Sequence, residues 1–250
     1  MLRAFTDRYD RMRRIGCLDM ERISGCRCLV VGAGALGNET VKDLVLSGFK
    51  DITVVDHDRV SISNLSRCMF FRECDVPRRP KVDALAERVA DLDPSCRITP
   101  IGSRIEDVDD YGFDLALGCL DNISARLHLN SHLCHHSVPY VDGATHGLDG
   151  KVQVVLPGGP CLQCSMNRTH VREMERHFSC SGDDRYVPPV PSDITATAVV
   201  AGMQVREALK IASGRTDLCM RDVCYYDGSE GTCEVLRIPV DDICPNHWRQ

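Results

Sequence analysis

Apolar positions along the chain fall into short β-branched runs separated by stretches of helical periodicity. The first run, residues 28–31, ends in glycines at Gly32, Gly34 and Gly37, and a second, residues 52–55, closes on Asp56. Between them the spacing predicts a helix over 35–47, with Gly48 as its C-cap. Pro80-Lys81 opens another helical pattern that carries Val82, Leu85, Ala86 and Val89 on one face and stops at Pro94. Strands are predicted at 97–101, 114–119, 140–141 and 151–156, with a helix at 124–136. After Pro157 the texture changes to a proline- and glycine-rich crossover, 158–192, followed by a helix over 193–212 and two antiparallel strands at 223–227 and 233–238. The first 26 residues are polar, with Arg8, Arg11, Arg13 and Arg14 at spacings that fit an amphipathic helical arm.

Strands alternating with helices indicate an α/β fold: a Rossmann-like, doubly wound, mainly parallel sheet with a C-terminal antiparallel extension. No repeat or linker divides the chain, so one domain over 1–250 is expected. Ligands of such sheets bind beyond the carboxyl ends of the strands, and Asp56 and Asp121 both lie at such ends. A glycine turn entering a helix suits phosphate, and an acid about 20 residues on suits ribose hydroxyls. That pattern alone fits a dinucleotide as well as ATP. Past Asp56, however, Ser63, Asn64, Arg67 and Lys81 supply an amide, a guanidinium and an ammonium. A triphosphate needs such charge, and a carboxylate at Asp121 suits Mg²⁺.

Composition narrows the class further. A net charge of −6, with no run of like charges, argues against nucleic acid. No stretch has the length of a membrane span or of a signal-peptide core, so a cytoplasmic protein is expected. Fifteen cysteines are many, yet Cys28, Cys96, Cys119 and Cys134 sit in apolar runs and read as small buried hydrophobes. Two clusters differ. Cys161-x-x-Cys164 and Cys244-x-x-His247 make four ligands in two knuckles, the composition of a closed structural zinc site, against the alternative of two unrelated pairs. Cys180 has polar neighbours, with Arg176, His177 and Arg185 nearby to favour a thiolate; the alternative is an ordinary exposed loop cysteine. His57 is read as a loop residue beside the nucleotide, and His135, His136 and His146 as structural.

The succession GAGALGNE, DHDRVSISNLSR, RPK and CLDNISARLHLN resembles the ubiquitin-activating-enzyme superfamily, which includes the bacterial ThiF, MoeB and HesA type adenylyltransferases and the adenylating subunits of ubiquitin-like protein activators. The resemblance runs from about Arg8 to the last residues. It implies that Gly32, Gly34 and Asp56 hold ATP, that Ser63, Asn64, Arg67 and Lys81 meet the phosphates, and that Asp121, with Asn122 beside it, takes Mg²⁺. RYDR resembles the N-terminal R-Y-x-R of that superfamily, which implies a homodimer in which Arg11 reaches the triphosphate of the partner subunit. The implied reaction is adenylation of the C-terminal glycine of a small ubiquitin-like or sulfur-carrier β-grasp protein ending in Gly-Gly. Cys180 lies where thioester-forming members carry their cysteine, while other members pass the acyl group to an external sulfur donor. A small-molecule or tRNA-borne carboxylate, and an NAD-dependent oxidoreductase, are the rival readings. The superfamily commonly has C-x-x-C at both knuckles, so His247 is a departure.

Overall fold

The computed structural model describes residues 7–166, 191–220 and 222–247. Its centre is one eight-stranded sheet. Five parallel strands, β1 (Arg27–Val31), β2 (Asp51–Val55), β3 (Arg97–Ile101), β4 (Leu115–Gly118) and β5 (Tyr140–His146), stand in the order β3-β2-β1-β4-β5. Three antiparallel strands, β6 (Asp149–Val155), β7 (Val223–Asp227) and β8 (Thr232–Leu236), continue it beyond β5. The predicted parallel sheet with an antiparallel extension is thus present.

The helices are α1 (Asp10–Arg13), α2 (Met20–Gly25), α3 (Ala35–Leu46), α4 (Lys81–Leu92), α5 (Ile123–His135) and α6 (Ile194–Ala212). One face of the sheet buries Val30, Ile52 and Leu117 against Leu44, Leu85 and Val205; the other buries Leu29, Val31 and Tyr140 against Leu129 and Leu133 of α5. Alternate residues of each strand therefore serve opposite layers, and buried Val, Ile and Leu on both faces explain the continuous apolar runs.

Three elements differ from the sequence expectation. The arginine-rich arm is helical only over α1, and a separate α2 follows because Asp19 accepts the amides of Glu21 and Arg22 as an N-cap. Strand β5 extends to His146 rather than stopping at Val141. Its outer half escaped notice because Gly143 and Thr145 carry no apolar signal. Gly143 is required there, since a Cβ would lie 2.4 Å from the Gln204 side chain of α6. Strand β8 begins at Thr232 and ends at Leu236, somewhat earlier than expected.

Candidate functional site

Chain order runs outward through β1, β2 and β3 to one side, then resumes through β4 and β5 on the other. Between β1 and β4 the connections diverge, which leaves a crevice at their carboxyl ends. A cavity of about 400 Å³ lies there. Gly32 carries the chain out of β1 at φ +100°, and its Cβ would collide with the Cys119 carbonyl oxygen at 2.4 Å. Gly37 packs the first turn of α3 onto the same loop, 1.9 Å from a would-be Cβ to the Gly32 oxygen. Gly34 does something different. It is the N-cap of α3, makes no side-chain cap, and would meet nothing within 4 Å. It leaves the helix N-terminus, with its unpaired amides, bare toward the cavity.

Asp56 sits just past β2 and holds this loop in shape. Its Oδ2 accepts the Ala33 amide at 2.6 Å and its Oδ1 accepts the Asp58 amide at 2.8 Å. Lys81, the first residue of α4, is buried; its Nζ donates to Asp58 Oδ2 at 2.8 Å and lies 4.0 Å from Asp56. Burial opposes its charge, but Asp56 and Asp58 outweigh that and hold its pKa above the ordinary lysine value. Asp58 went unremarked in the sequence because its neighbour Asp56 already filled the expected acid position.

Arg67 lines the cavity, and its guanidinium makes no hydrogen bond or ion pair with any described residue. Asn64 lines it too, although its Oδ1 accepts from the Ser61 amide and hydroxyl at 2.9 and 3.0 Å. Ser63 does not line it: its hydroxyl lies 3.0 Å from that of Ser61, on the outside of the loop. Asp121 is exposed at the opposite wall with no partner among the described residues. Asn122, beside it, is the N-cap of α5 and accepts the Ala125 amide at 2.7 Å.

Sequence reasoning missed Arg126. It lines the cavity one turn into α5 and forms an ion pair with Asp142 of β5, which is fully buried. Its Nε donates to Asp142 Oδ1 at 3.1 Å, and Tyr140 donates its hydroxyl to the same oxygen at 2.7 Å. Burial works against the guanidinium charge, and Asp142 more than restores it, so the arginine pKa is raised. The only signal was Tyr140 and Asp142 at alternate strand positions, hence on one face. His146 was read as structural, but it lines the cavity at the tip of the β5–β6 hairpin. His57 lines it as expected. Arg11 is exposed on α1 and does not line the cavity of its own chain. Cys180, with Arg176, His177 and Arg185, lies outside the described residues.

At the far end of α5 the two knuckles meet. Cys161 Sγ lies 3.8 Å from Cys164 Sγ and 3.6 Å from Cys244 Sγ, and His247 Nε2 lies 3.1 Å from Cys164 Sγ. All four ligand atoms fall within 4.8 Å of one another. Tetrahedral zinc with Zn–S bonds of about 2.3 Å separates its sulfurs by about 3.8 Å, so the donor set fits this ion. Cys134, half-buried, packs against the same hydrophobic layer, as its apolar run suggests, and its thiol points at Asn130 Oδ1 from 3.9 Å. Cys119 likewise behaves as a buried hydrophobe, its pKa pushed up to about 12 by burial.

The chain is 40% identical over 159 residues to the NEDD8-activating enzyme E1 catalytic subunit of Arabidopsis thaliana, covering 56% of this chain and 34% of that protein. It is 35% identical over 167 residues to SUMO-activating enzyme subunit 2 of Dictyostelium discoideum, covering 64% and 25%. The chain thus spans about a third or less of the length of these relatives. Among solved structures, E. coli MccB with ATP superposes with a TM-score of 0.79 at 17% identity, covering 98% of this chain and 75% of that one. PaaA superposes with a TM-score of 0.74 at 19% identity, covering 92% and 82%. These two likenesses are of fold. The profile of the ThiF family matches residues 7–246, and the chain belongs to that family.

Proposed function

We propose that this protein uses ATP to adenylate the C-terminal carboxylate of a ubiquitin-like or sulfur-carrier β-grasp protein ending in Gly-Gly. The observation that carries the reading is a pair facing one cavity with no partner among the described residues: the Arg67 guanidinium on one wall and the Asp121 carboxylate on the other. A nicotinamide dinucleotide carries less phosphate charge than a triphosphate and needs no metal-binding acid opposite the guanidinium. A triphosphate with Mg²⁺ uses the guanidinium, the buried Lys81 and the acid. Each Asp56 oxygen keeps a lone pair for a ribose hydroxyl beyond the amide it already accepts. The bare N-terminus of α3 suits phosphate, and Lys81 and Arg67 suit the departing pyrophosphate. Asp121 would hold Mg²⁺, which offsets phosphate charge when bound.

The carboxylate of the carrier is already an anion, so no general base is needed. It attacks the α-phosphorus, the bond to the bridging oxygen breaks, and pyrophosphate leaves with the electron pair. The work of the chain is to position and to stabilise charge. Support for a protein substrate comes from the sheet edge. Strand β8 is exposed along its length, with Val235 and Leu236 uncovered, and an open edge of this kind accepts another sheet. In a second step, the Cys180 thiolate would attack the acyl carbon and release AMP, leaving a thioester. Zinc at Cys161, Cys164, Cys244 and His247 would be structural, since four protein ligands leave no open position.

The test is pyrophosphate exchange into ATP with and without purified β-grasp carriers ending in Gly-Gly. Exchange that requires the carrier and is lost when the terminal glycine is removed is the expected result. Exchange driven instead by a free or tRNA-borne carboxylate would replace the substrate, and NADH binding without any exchange would replace the reaction. Mass spectrometry of the same mixture for a reducible carrier adduct, lost in Cys180→Ala, tests the thioester.

A further inference from the structure

Helix α5 sends two side chains to the cysteine cluster that a four-ligand zinc site does not explain. Asn130 is fully buried. Its Oδ1 accepts the Leu162 amide at 3.0 Å, within the first knuckle, and the Cys134 thiol points at the same oxygen from 3.9 Å. Its Nδ2 is buried without a hydrogen-bond partner among the described residues. A buried amide donor left unmade is costly, and natural proteins leave few of them. The Leu162 amide that Asn130 holds follows directly on Cys161, the sulfur that contacts both Cys164 and Cys244 and already receives the Asn246 Nδ2 at 3.4 Å. A neutral thiol is a poor acceptor. A thiolate bound to a cation keeps much of its negative charge and accepts N–H groups readily.

Resting on the zinc reading above, we infer that Asn130 is an outer support of the metal: its Nδ2 donates to Cys161 once that sulfur is a metal-bound thiolate, while its Oδ1 holds the turn that carries the sulfur. A side-chain amide offers a donor and an acceptor on two separate atoms, which explains asparagine in an otherwise apolar layer. The placement has a consequence for the nucleotide cavity. Asn122, Arg126, Asn130 and Cys134 follow one another four residues apart along one side of α5. The first two line the cavity, Asn130 bonds the first knuckle, and Cys134 lines a small cavity with Asn246 and His247 of the second. One helix stripe therefore joins the two sites, and a bound metal would anchor the end of the helix opposite its N-cap Asn122.

The experiment uses the whole protein loaded with cobalt, zinc or cadmium. Wild-type protein should bind one Co²⁺ with thiolate-to-cobalt charge-transfer absorption. Asn130→Asp, which keeps the acceptor and removes the donor, should bind the same single ion with zinc affinity lower by about 10- to 100-fold in chelator competition. Unchanged zinc affinity in Asn130→Asp would overturn the inference while leaving the zinc reading intact. A wild-type protein that takes up no metal would overturn both. A second measurement needs no variant: with ¹¹³Cd bound and asparagine labelled with ¹⁵N, the Asn130 side-chain amide should show scalar coupling to the metal. Coupling at Asn246 but not at Asn130 would refute the proposed bond.

Discussion

Arg67 and Lys81 both bring positive charge to the cavity, but they are held in opposite ways. Lys81 is fixed before any ligand arrives, by Asp58 at 2.8 Å and by burial against Asp56. Arg67 has no partner among the described residues and lies at the cavity wall. Removing Lys81 therefore strips the counter-charge from two acids of the glycine loop and disturbs fold and site together. Removing the Arg67 guanidinium deletes no hydrogen bond or ion pair among the described residues. Arg67→Gln is expected to leave the melting temperature unchanged and to lower the rate of adenylation by about 10² to 10³, the scale seen when one charge-stabilising donor is lost. Pyrophosphate exchange at saturating ATP measures this. A loss of less than tenfold would mean that the guanidinium does not meet developing charge.

The elements divide by how plainly their burial is written in the sequence. Strands β1, β2 and β4 are buried on both faces, so their apolar runs are continuous and were legible. The outer half of β5 was not, because its side chains are small or polar and its burial comes from Gln204 and Arg126, which lie far off in sequence. The same holds for the site. Asp56, Lys81 and Asp121 stand at element ends, where punctuation marks them. Asn130, Arg126 and Cys134 lie inside a helix and look like any polar or small residue until the neighbouring layers are known. The N-terminal arm is another such case. Its attachment is a polar cluster in which Asp93, at the end of α4, receives Arg8 at 2.9 Å, Lys50 at 2.6 Å and the Tyr9 hydroxyl at 3.2 Å. Burial raises the Asp93 pKa, but hydrogen bonds from Lys50 and Ser95 outweigh it and hold the carboxyl well below the usual range. The folded state thus resists protonation more than the unfolded chain does, so this attachment stabilises at neutral pH and weakens as pH falls. Asp93→Asn should lower the urea midpoint at pH 7, and its difference from wild type should narrow from about pH 5 downward. A gap that stays constant with pH would show that Asp93 acts through its shape and not its charge.

At the scale of the molecule, a bound triphosphate would carry more charge than the described residues of one chain bring to the cavity. Arg126 is neutralised by Asp142 and Lys81 is matched by Asp58, which leaves, among the described residues, Arg67 and the N-terminus of α3. Arg8 is paired with Asp93, whereas Arg11 is exposed on the neighbouring helix face with no partner among the described residues. An arm anchored by one arginine and free at the next is suited to reach a second copy, and closed two-fold symmetry would then supply both cavities at once. The arrangement can be tested without a structure of the dimer. Arg11→Ala and Arg67→Gln are each expected to lose nearly all pyrophosphate exchange alone. Co-refolded in equal amounts, half of the dimers are mixed, and in each mixed dimer one cavity keeps its own Arg67 and receives an intact Arg11 from the other subunit. Exchange should return to about a quarter of the wild-type level, as random pairing of a two-fold dimer dictates. If mixing restores nothing while the mixed dimer is shown to form, Arg11 serves its own chain or none.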